Sequence, residues 1–203
     1  MSRTIEFWYE FASTYSYPAA MRVEEVAARS DVAVSWRPFL LGPIFRELGW
    51  STSPFNLQPA KGVYMWRDLE RTCNGLDLPF RRPDPFPQNS LLAARVAISL
   101  TDPKARAGFS RAVYLRQYGE GLSISDPEDL TDPLRAAGVD PADALRTATL
   151  QETKDALKTQ TQDAASFGIF GAPTWRTPDG EIFWGNDRLE DALDWVIKRV
   201  SRV

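Results

Sequence analysis

Hydrophobic side chains recur at every second residue near the start of this chain and at helical spacing through its middle. Ile5, Phe7, Tyr9 and Phe11 alternate with Glu6, Trp8 and Glu10, so residues 4–10 read as a strand. From Ser16 to Arg29 the apolar positions are Tyr17, Ala20, Met21, Val23, Val26 and Ala27; Pro18 suits a first helical turn, and Ser or Thr suits the cap. The β-branched and aromatic run Val32 to Arg37 stops at Pro38, giving a βαβ opening with a parallel strand pair. Strand signals then vanish until about Phe167. Short helices are expected between prolines, one with Val63, Trp66, Leu69, Glu70 and Cys73 on a face, the next starting near Leu91 behind Asn89 and Ser90 as caps. Thr174-Trp175 and Ile182-Phe183-Trp184 flank the turn Pro178-Asp179-Gly180 and read as a hairpin. A helix with Leu189, Leu193, Val196, Ile197 and Val200 on one stripe closes the chain, and Asp187 with Glu190 has the form of a capping box.

Composition excludes several chemistries. The chain has 203 residues, no His and one Cys, which removes imidazole bases, Ser-His-Asp and Cys-His pairs, nearly all zinc sites and any internal disulfide. Twenty-four Lys and Arg against 27 Asp and Glu give a net charge of −3, so no nucleic-acid partner is expected. Glu6 and Glu10 interrupt the apolar run that a signal peptide would need. No stretch of about 18 apolar residues follows, so no membrane partner is expected and the reading is a cytoplasmic protein.

The order βαβ, helical block, ββα, with a strand-to-helix turn near residue 13, resembles the thioredoxin fold with the helical insertion of DsbA-type proteins. Where those oxidoreductases carry C-x-x-C, this chain has Ser13-Thr14-Tyr15-Ser16 and cannot exchange disulfides there. The run F-A-S-T-Y-S-Y from Phe11, R-P-F-L-L-G-P-I-F from Arg37, P-A-K-G-V-Y-M from Pro59, F-G-I-F-G-A-P-T from Phe167 and F-W-G-N-D-R-L from Phe183 together resemble the glutathione-dependent branch. That branch comprises 2-hydroxychromene-2-carboxylate isomerases and kappa-class glutathione transferases; W-G-N-D-R is closer to the isomerase pattern. The resemblance implies an α/β fold with residues 1–43 and 168–203 forming a thioredoxin-like domain around an all-helical insertion at 44–167. It also implies a homodimer.

Glutathione is the cofactor that the resemblance implies, and it assigns roles by position. Ser13 is the catalytic residue, its hydroxyl and the helix end favouring the thiolate. A free thiol near pKa ~8.5 needs roughly 2.7 kcal/mol of differential stabilisation to fall by two units. Ala172 and Pro173 match the cis-proline position, where the Ala172 backbone would pair with the cysteinyl unit of glutathione. Asn186, Asp187 and Arg188, at the start of the last helix, would take its γ-glutamyl end. Lys61, one of only five lysines, would contact a carboxylate. An Asn of the preceding loop has no clean match, Thr52 and Asn56 being the two candidates for its place. Trp8, Tyr15, Phe39, Phe45, Trp66 and Trp175 are read mainly as core, with Tyr15, Phe39 and Trp66 placed to wall an aromatic substrate; Asn89 is read as a cap and as a substrate contact. Cys73 is read as a buried, inert thiol.

The implied activity is cis/trans isomerisation of an aromatic or bicyclic unsaturated keto acid, as in aromatic catabolism, by reversible thiolate addition. Two alternatives stand beside it: a kappa-type transferase or peroxidase that consumes glutathione, and a thioredoxin-fold binding module without catalysis.

Overall fold

The computed structural model describes residues 3–50 and 52–200, the Val200 side chain excepted. Among these, β1 (Thr4–Tyr9), α1 (Ser16–Arg29) and β2 (Ala33–Pro38) open the chain. Then come α2 (Leu41–Glu47), α3 (Pro54–Leu57), α4 (Pro59–Gly75), α5 (Leu91–Ser99), α6 (Pro103–Tyr114), α7 (Thr131–Ala136), α8 (Pro141–Thr149) and α9 (Gln151–Ser166). The hairpin β3 (Thr174–Arg176) and β4 (Ile182–Trp184) leads through a 3-10 turn, Asn186–Arg188, into α10 (Leu189–Val200). The sheet order is β2-β1-β3-β4, with β1 parallel to β2 and antiparallel to β3, and β3 antiparallel to β4. This is the α/β thioredoxin-type arrangement with helices inserted between the second and third strands. None of the described helices is long and apolar enough to cross a membrane.

The central position of β1 explains its composition. Ile5, Phe7 and Tyr9 point into the larger core, where Phe7 stacks on Trp175 at 4.6 Å and meets Trp36 edge-on at 4.9 Å. Trp8 points the other way into a second cluster with Phe39, Ile44, Ile169 and Ala172. A central strand near its C-terminal end is therefore buried on both faces, and simple alternation fails there. The end of α5 is held by Arg106 on α6, whose guanidinium donates to the carbonyls of Ala97, Ile98, Leu100 and Trp36. A cation at a helix C-terminus suits the helix dipole and satisfies carbonyls that have no intrahelical partner.

Several local expectations are corrected. Val63 is 73% exposed; α4 buries Met65, Leu69 and Cys73, a stripe spaced by four residues. The N-cap of α1 is Tyr15 and makes no side-chain cap, because the Ser13 hydroxyl is turned to another partner. The N-cap of α5 is Ser90, whose hydroxyl goes to Glu10 and caps nothing; Asn89, one residue before it, accepts from the Leu91 N–H at 3.1 Å. The Asp187/Glu190 capping box does not form: Arg22 takes the Glu190 carboxylate, and Asp187 pairs with Arg188. Of the closing stripe, the Val200 side chain lies outside the described residues.

Candidate active site at the start of α1

The site grows from the end of β1. Ser13 N–H donates to Glu10 O at 2.9 Å and Ser13 O accepts from Ser16 N–H at 3.2 Å, so a tight turn delivers the chain into α1. Two tyrosines from the helical region prop this turn: Tyr114 O–H donates to Glu10 O at 2.8 Å, and Tyr118 O–H to Phe11 O at 3.3 Å. Tyr118 lies on a π-helical turn, Leu115–Gly119, that continues α6. Beneath them is the Glu10 carboxylate, 4% exposed, accepting from Ala12 N–H at 3.2 Å, Leu41 N–H at 2.9 Å and the Ser90 hydroxyl at 2.5 Å. Burial raises its pKa above the ordinary glutamate value, while the hydrogen bonds from Ser90, Leu41 and Ala12 oppose the rise.

Ser13 Oγ donates to Ala172 O at 2.7 Å, which brings the turn against the Ala172–Pro173 peptide, a cis bond. The Pro173 carbonyl accepts from Gly185 N–H at 2.9 Å, and the Gly185 carbonyl accepts from the Trp175 indole at 2.9 Å. Gly185 has φ +120°, and a Cβ there would lie 2.4 Å from Asp187 Oδ1. Only glycine serves at that position, and it sets Asn186–Arg188 directly beside the Ala172–Pro173 strand start. From the other side, Arg22 on α1 donates to Asn186 Oδ1 at 3.0 Å and to Asn186 O at 2.6 Å. Hydrogen bonds thus join Ser13 to Ala172 and Pro173 to Gly185, while Arg22 holds Asn186 beside them, with Asp187 and Arg188 adjacent and exposed.

The helical side adds Tyr15, whose hydroxyl donates to Asp68 Oδ2 on α4 at 3.0 Å. Burial, then Asp68 as acceptor and as charge, raises the Tyr15 pKa, so the phenol stays protonated. Lys61 lies two turns before Asp68 on α4, about 10 Å along the axis at 1.5 Å per residue. It is exposed, and no carboxylate holds it among the described residues. Asn56 Nδ2 donates to Thr52 Oγ1 at 3.2 Å, so these two candidates lie side by side; Ser51, beside them, lies outside the described residues. A groove of about 290 Å³ runs along α4 between Phe55, Pro59, Val63, Trp66, Arg82 and Phe86. Ser13 does not line it, but Tyr15 connects the two, its ring centroid 6.4 Å from that of Phe55. Of the residues expected to wall a substrate, Trp66 lines the groove and Tyr15 borders it. Phe39 is fully buried against Trp8 and presents no surface, and Asn89 is exposed outside the groove's lining, its Oδ1 accepting from the Leu91 N–H. Cys73 is buried, and its thiol pKa is pushed up to about 11 by desolvation.

A family model for the DSBA-like thioredoxin domain matches residues 4–195. A 2-hydroxychromene-2-carboxylate isomerase of Sphingobium xenophagum is 30% identical over 195 residues, covering 94% of this chain and 96% of the relative. The chain belongs to the 2-hydroxychromene-2-carboxylate isomerase family of DsbA-like proteins. Members of its kappa-class side are close as well: human glutathione S-transferase kappa 1 is 28% identical over 203 residues, covering 94% of this chain and 89% of that one. Among solved structures, a 2-hydroxychromene-2-carboxylate isomerase superposes with a TM-score of 0.84 at 23% identity, over 98% of this chain and 96% of that one. That last likeness speaks to the isomerase-family fold alone.

The sequence reading missed Glu10, Arg22, Asp68, Phe55 and Arg82. A signal for Glu10 was present: it follows Trp8 on the same strand face, and a tryptophan there marks that face as buried too.

Proposed function

We propose that the protein is a glutathione-dependent cis/trans isomerase acting on an aromatic or bicyclic unsaturated keto acid. The observation that carries this is the Ser13 hydroxyl, held 2.7 Å from Ala172 O at the entrance to a helix with no side-chain cap and no acidic residue in its first turn. A hydroxyl donor beside an unneutralised positive helix end favours a thiolate over a thiol. When bound, glutathione supplies a thiol whose anion adds reversibly to the conjugated system and leaves after rotation about the resulting single bond. The residues present fit that group. The Ala172 N–H has no protein acceptor among the described residues, and the Ala172 carbonyl faces Ser13, so the Ala172 backbone is available to an extended peptide. Lys61 is a cation without a protein partner among the described residues, suited to a carboxylate. Asn186 and Asp187 meet an amino-acid end, with Arg22 fixing Asn186. Ser13 Oγ would donate to the sulfur in place of Ala172 O and so stabilise the sulfur's negative charge. The hydroxyl keeps its own proton throughout.

The kappa-class relatives favour a second reading, a transferase that consumes glutathione. The deciding experiment incubates the purified protein with reduced glutathione and a cis-configured aromatic enone acid, following the trans product and free thiol together. Product with thiol unchanged supports the isomerase. Thiol lost in step with substrate moves the reading to the transferase, and no turnover with no glutathione binding removes both. The Lys61→Ala variant is expected to weaken glutathione binding about tenfold, as loss of one partly exposed charge-assisted contact does. Its turnover at saturating glutathione should stay near wild type; calorimetric titration and initial rates check the two halves.

A further inference from the structure

Arg22, on the second turn of α1, ties the helix whose start holds Ser13 to the start of the last helix. Its side chain is 16% exposed, and all three guanidinium nitrogens are engaged. Nε donates to Asn186 Oδ1 at 3.0 Å, Nη2 to Asn186 O at 2.6 Å and to Glu190 Oε2 at 3.1 Å, and Nη1 to Glu190 Oε1. The Arg22 hydrogen bond holds the Glu190 carboxyl below the ordinary glutamate range, so this pair stays charged at neutral pH. Arginine's fixed fork thus grips two residues in one geometry, which the single ammonium of a lysine cannot do. The consequence falls on Asn186. A guanidinium N–H needs an oxygen opposite it, so the Asn186 amide cannot turn over, and its Nδ2 points away from Arg22. No acceptor reaches that Nδ2 among the described residues, which leaves its N–H donors free beside Gly185 and the start of β3. The nearest cation, Arg188, is divided between Asp187 at 3.2 Å and Asp191 at 2.8 Å.

We propose that Arg22 is a positioning residue that makes the site selective for a free carboxylate at the γ-glutamyl end of its thiol cofactor, by locking the Asn186 amide with its donor outward. The proposal rests on the glutathione reading and deepens it. Without the fork the amide turns about its broad terminal torsion and offers oxygen as readily as nitrogen, and an oxygen there repels a carboxylate. Arg22 does not touch the ligand; it acts through Asn186. Ser13 holds the sulfur in this scheme, so loss of Arg22 weakens cofactor binding and leaves the chemical step alone.

The test titrates two thiols calorimetrically into wild type, Arg22→Lys and Asn186→Asp: reduced glutathione, and its analogue with the γ-glutamyl α-carboxylate converted to the primary amide. Wild type is expected to bind glutathione about tenfold more tightly than the amide, the difference between a charge-assisted and a neutral hydrogen bond. Arg22→Lys should keep its affinity for the amide and lose the preference, the change appearing in KM for glutathione and not in kcat. Asn186→Asp, whose oxygens still accept from Arg22, should invert the preference. Equal binding of the two thiols by wild type, a preference that survives in Arg22→Lys, or no inversion in Asn186→Asp would overturn the proposal. A parallel loss of both ligands in Arg22→Lys overturns it too, since that is the mark of a structural role alone. Thermal midpoints verify that both variants are folded. The two readings fail separately: glutathione bound without the preference removes the proposal only, and the expected preferences without thiol-neutral product leave it standing and remove the isomerase. Wild type that binds neither thiol removes the glutathione reading and the proposal with it.

Discussion

Replacing Ser13 with alanine is expected to cut turnover by about 10²–10³-fold, the cost of losing one donor aimed at a developing or resident anion. The fold should be nearly untouched. Ser13 Oγ makes a single neutral hydrogen bond, to Ala172 O at 2.7 Å, and such a bond contributes about 1 kcal/mol. The backbone of the turn is held independently by Glu10 O on the Ser13 N–H and by the tyrosine props from the helical region. Two measurements separate the roles: initial rates at saturating glutathione, and calorimetric proton release on glutathione binding in buffers of different ionisation enthalpy. The variant should bind glutathione with less proton release than wild type. Wild-type rates in the variant would remove the hydroxyl from the mechanism and leave the helix end alone to hold the thiolate.

The largest expected loss of stability comes from Glu10→Ala. It strips three donors of their acceptor: the Leu41 N–H and the Ser90 hydroxyl, both buried, and the half-buried Ala12 N–H. At about 1–3 kcal/mol for each donor left buried and unpaired, partly relieved by relaxation, the total should be about 3–5 kcal/mol. Chemical denaturation at neutral pH measures it. Glu10 also gives stability a pH dependence of unusual sign for a carboxyl. Because burial raises its folded pKa above the ordinary 4.5, the protonated form is favoured by folding. The protonation-linked part of its contribution is complete below pH 4.5 and is lost as pH rises through the raised folded value. The groups facing it, Tyr114 and Tyr118, are held neutral by burial, and they do not titrate in that window. In Glu10→Gln that slope should vanish. A wild-type stability profile with no fall above pH 4.5 would show the carboxylate to be fully satisfied in its charged form.

What the sequence conveyed follows physical lines. A period-two run placed β1, and the turn Pro178-Asp179-Gly180 placed the hairpin β3–β4, to within a residue or two, while the 3.6-residue pattern placed α1 at both ends. Caps were less legible. Ser13, Ser90, Asp187 and Glu190 have the residue types that cap helices, yet tertiary partners captured three of those side chains: Ala172 O, Glu10 and Arg22. Local preference yields wherever a long-range partner offers a stronger or better-buried bond. Val63 and Phe39 erred in opposite directions, one exposed and one sealed, because an apolar residue type does not report which neighbour covers it. Arg82 could not be placed in the groove from its surroundings in the sequence. It lies over the Trp66 ring, which approaches it only when α4 and the following loop fold together.

The position of β1 has a consequence for how the protein is made. Its partner on one side, β2, follows within forty residues, but Phe7 must wait for Trp175 on the other. A ribosome-bound chain would hold an unpaired edge along β1 during synthesis of every inserted helix, an exposed template for misassociation. Few local contacts anticipate that closure, so its loop entropy is met late and folding should be slow for a chain so rich in helix. Truncation before the last hairpin would therefore yield an open-edged, aggregation-prone remnant instead of a smaller working protein, and a C-terminal fusion partner would report on completion of the sheet.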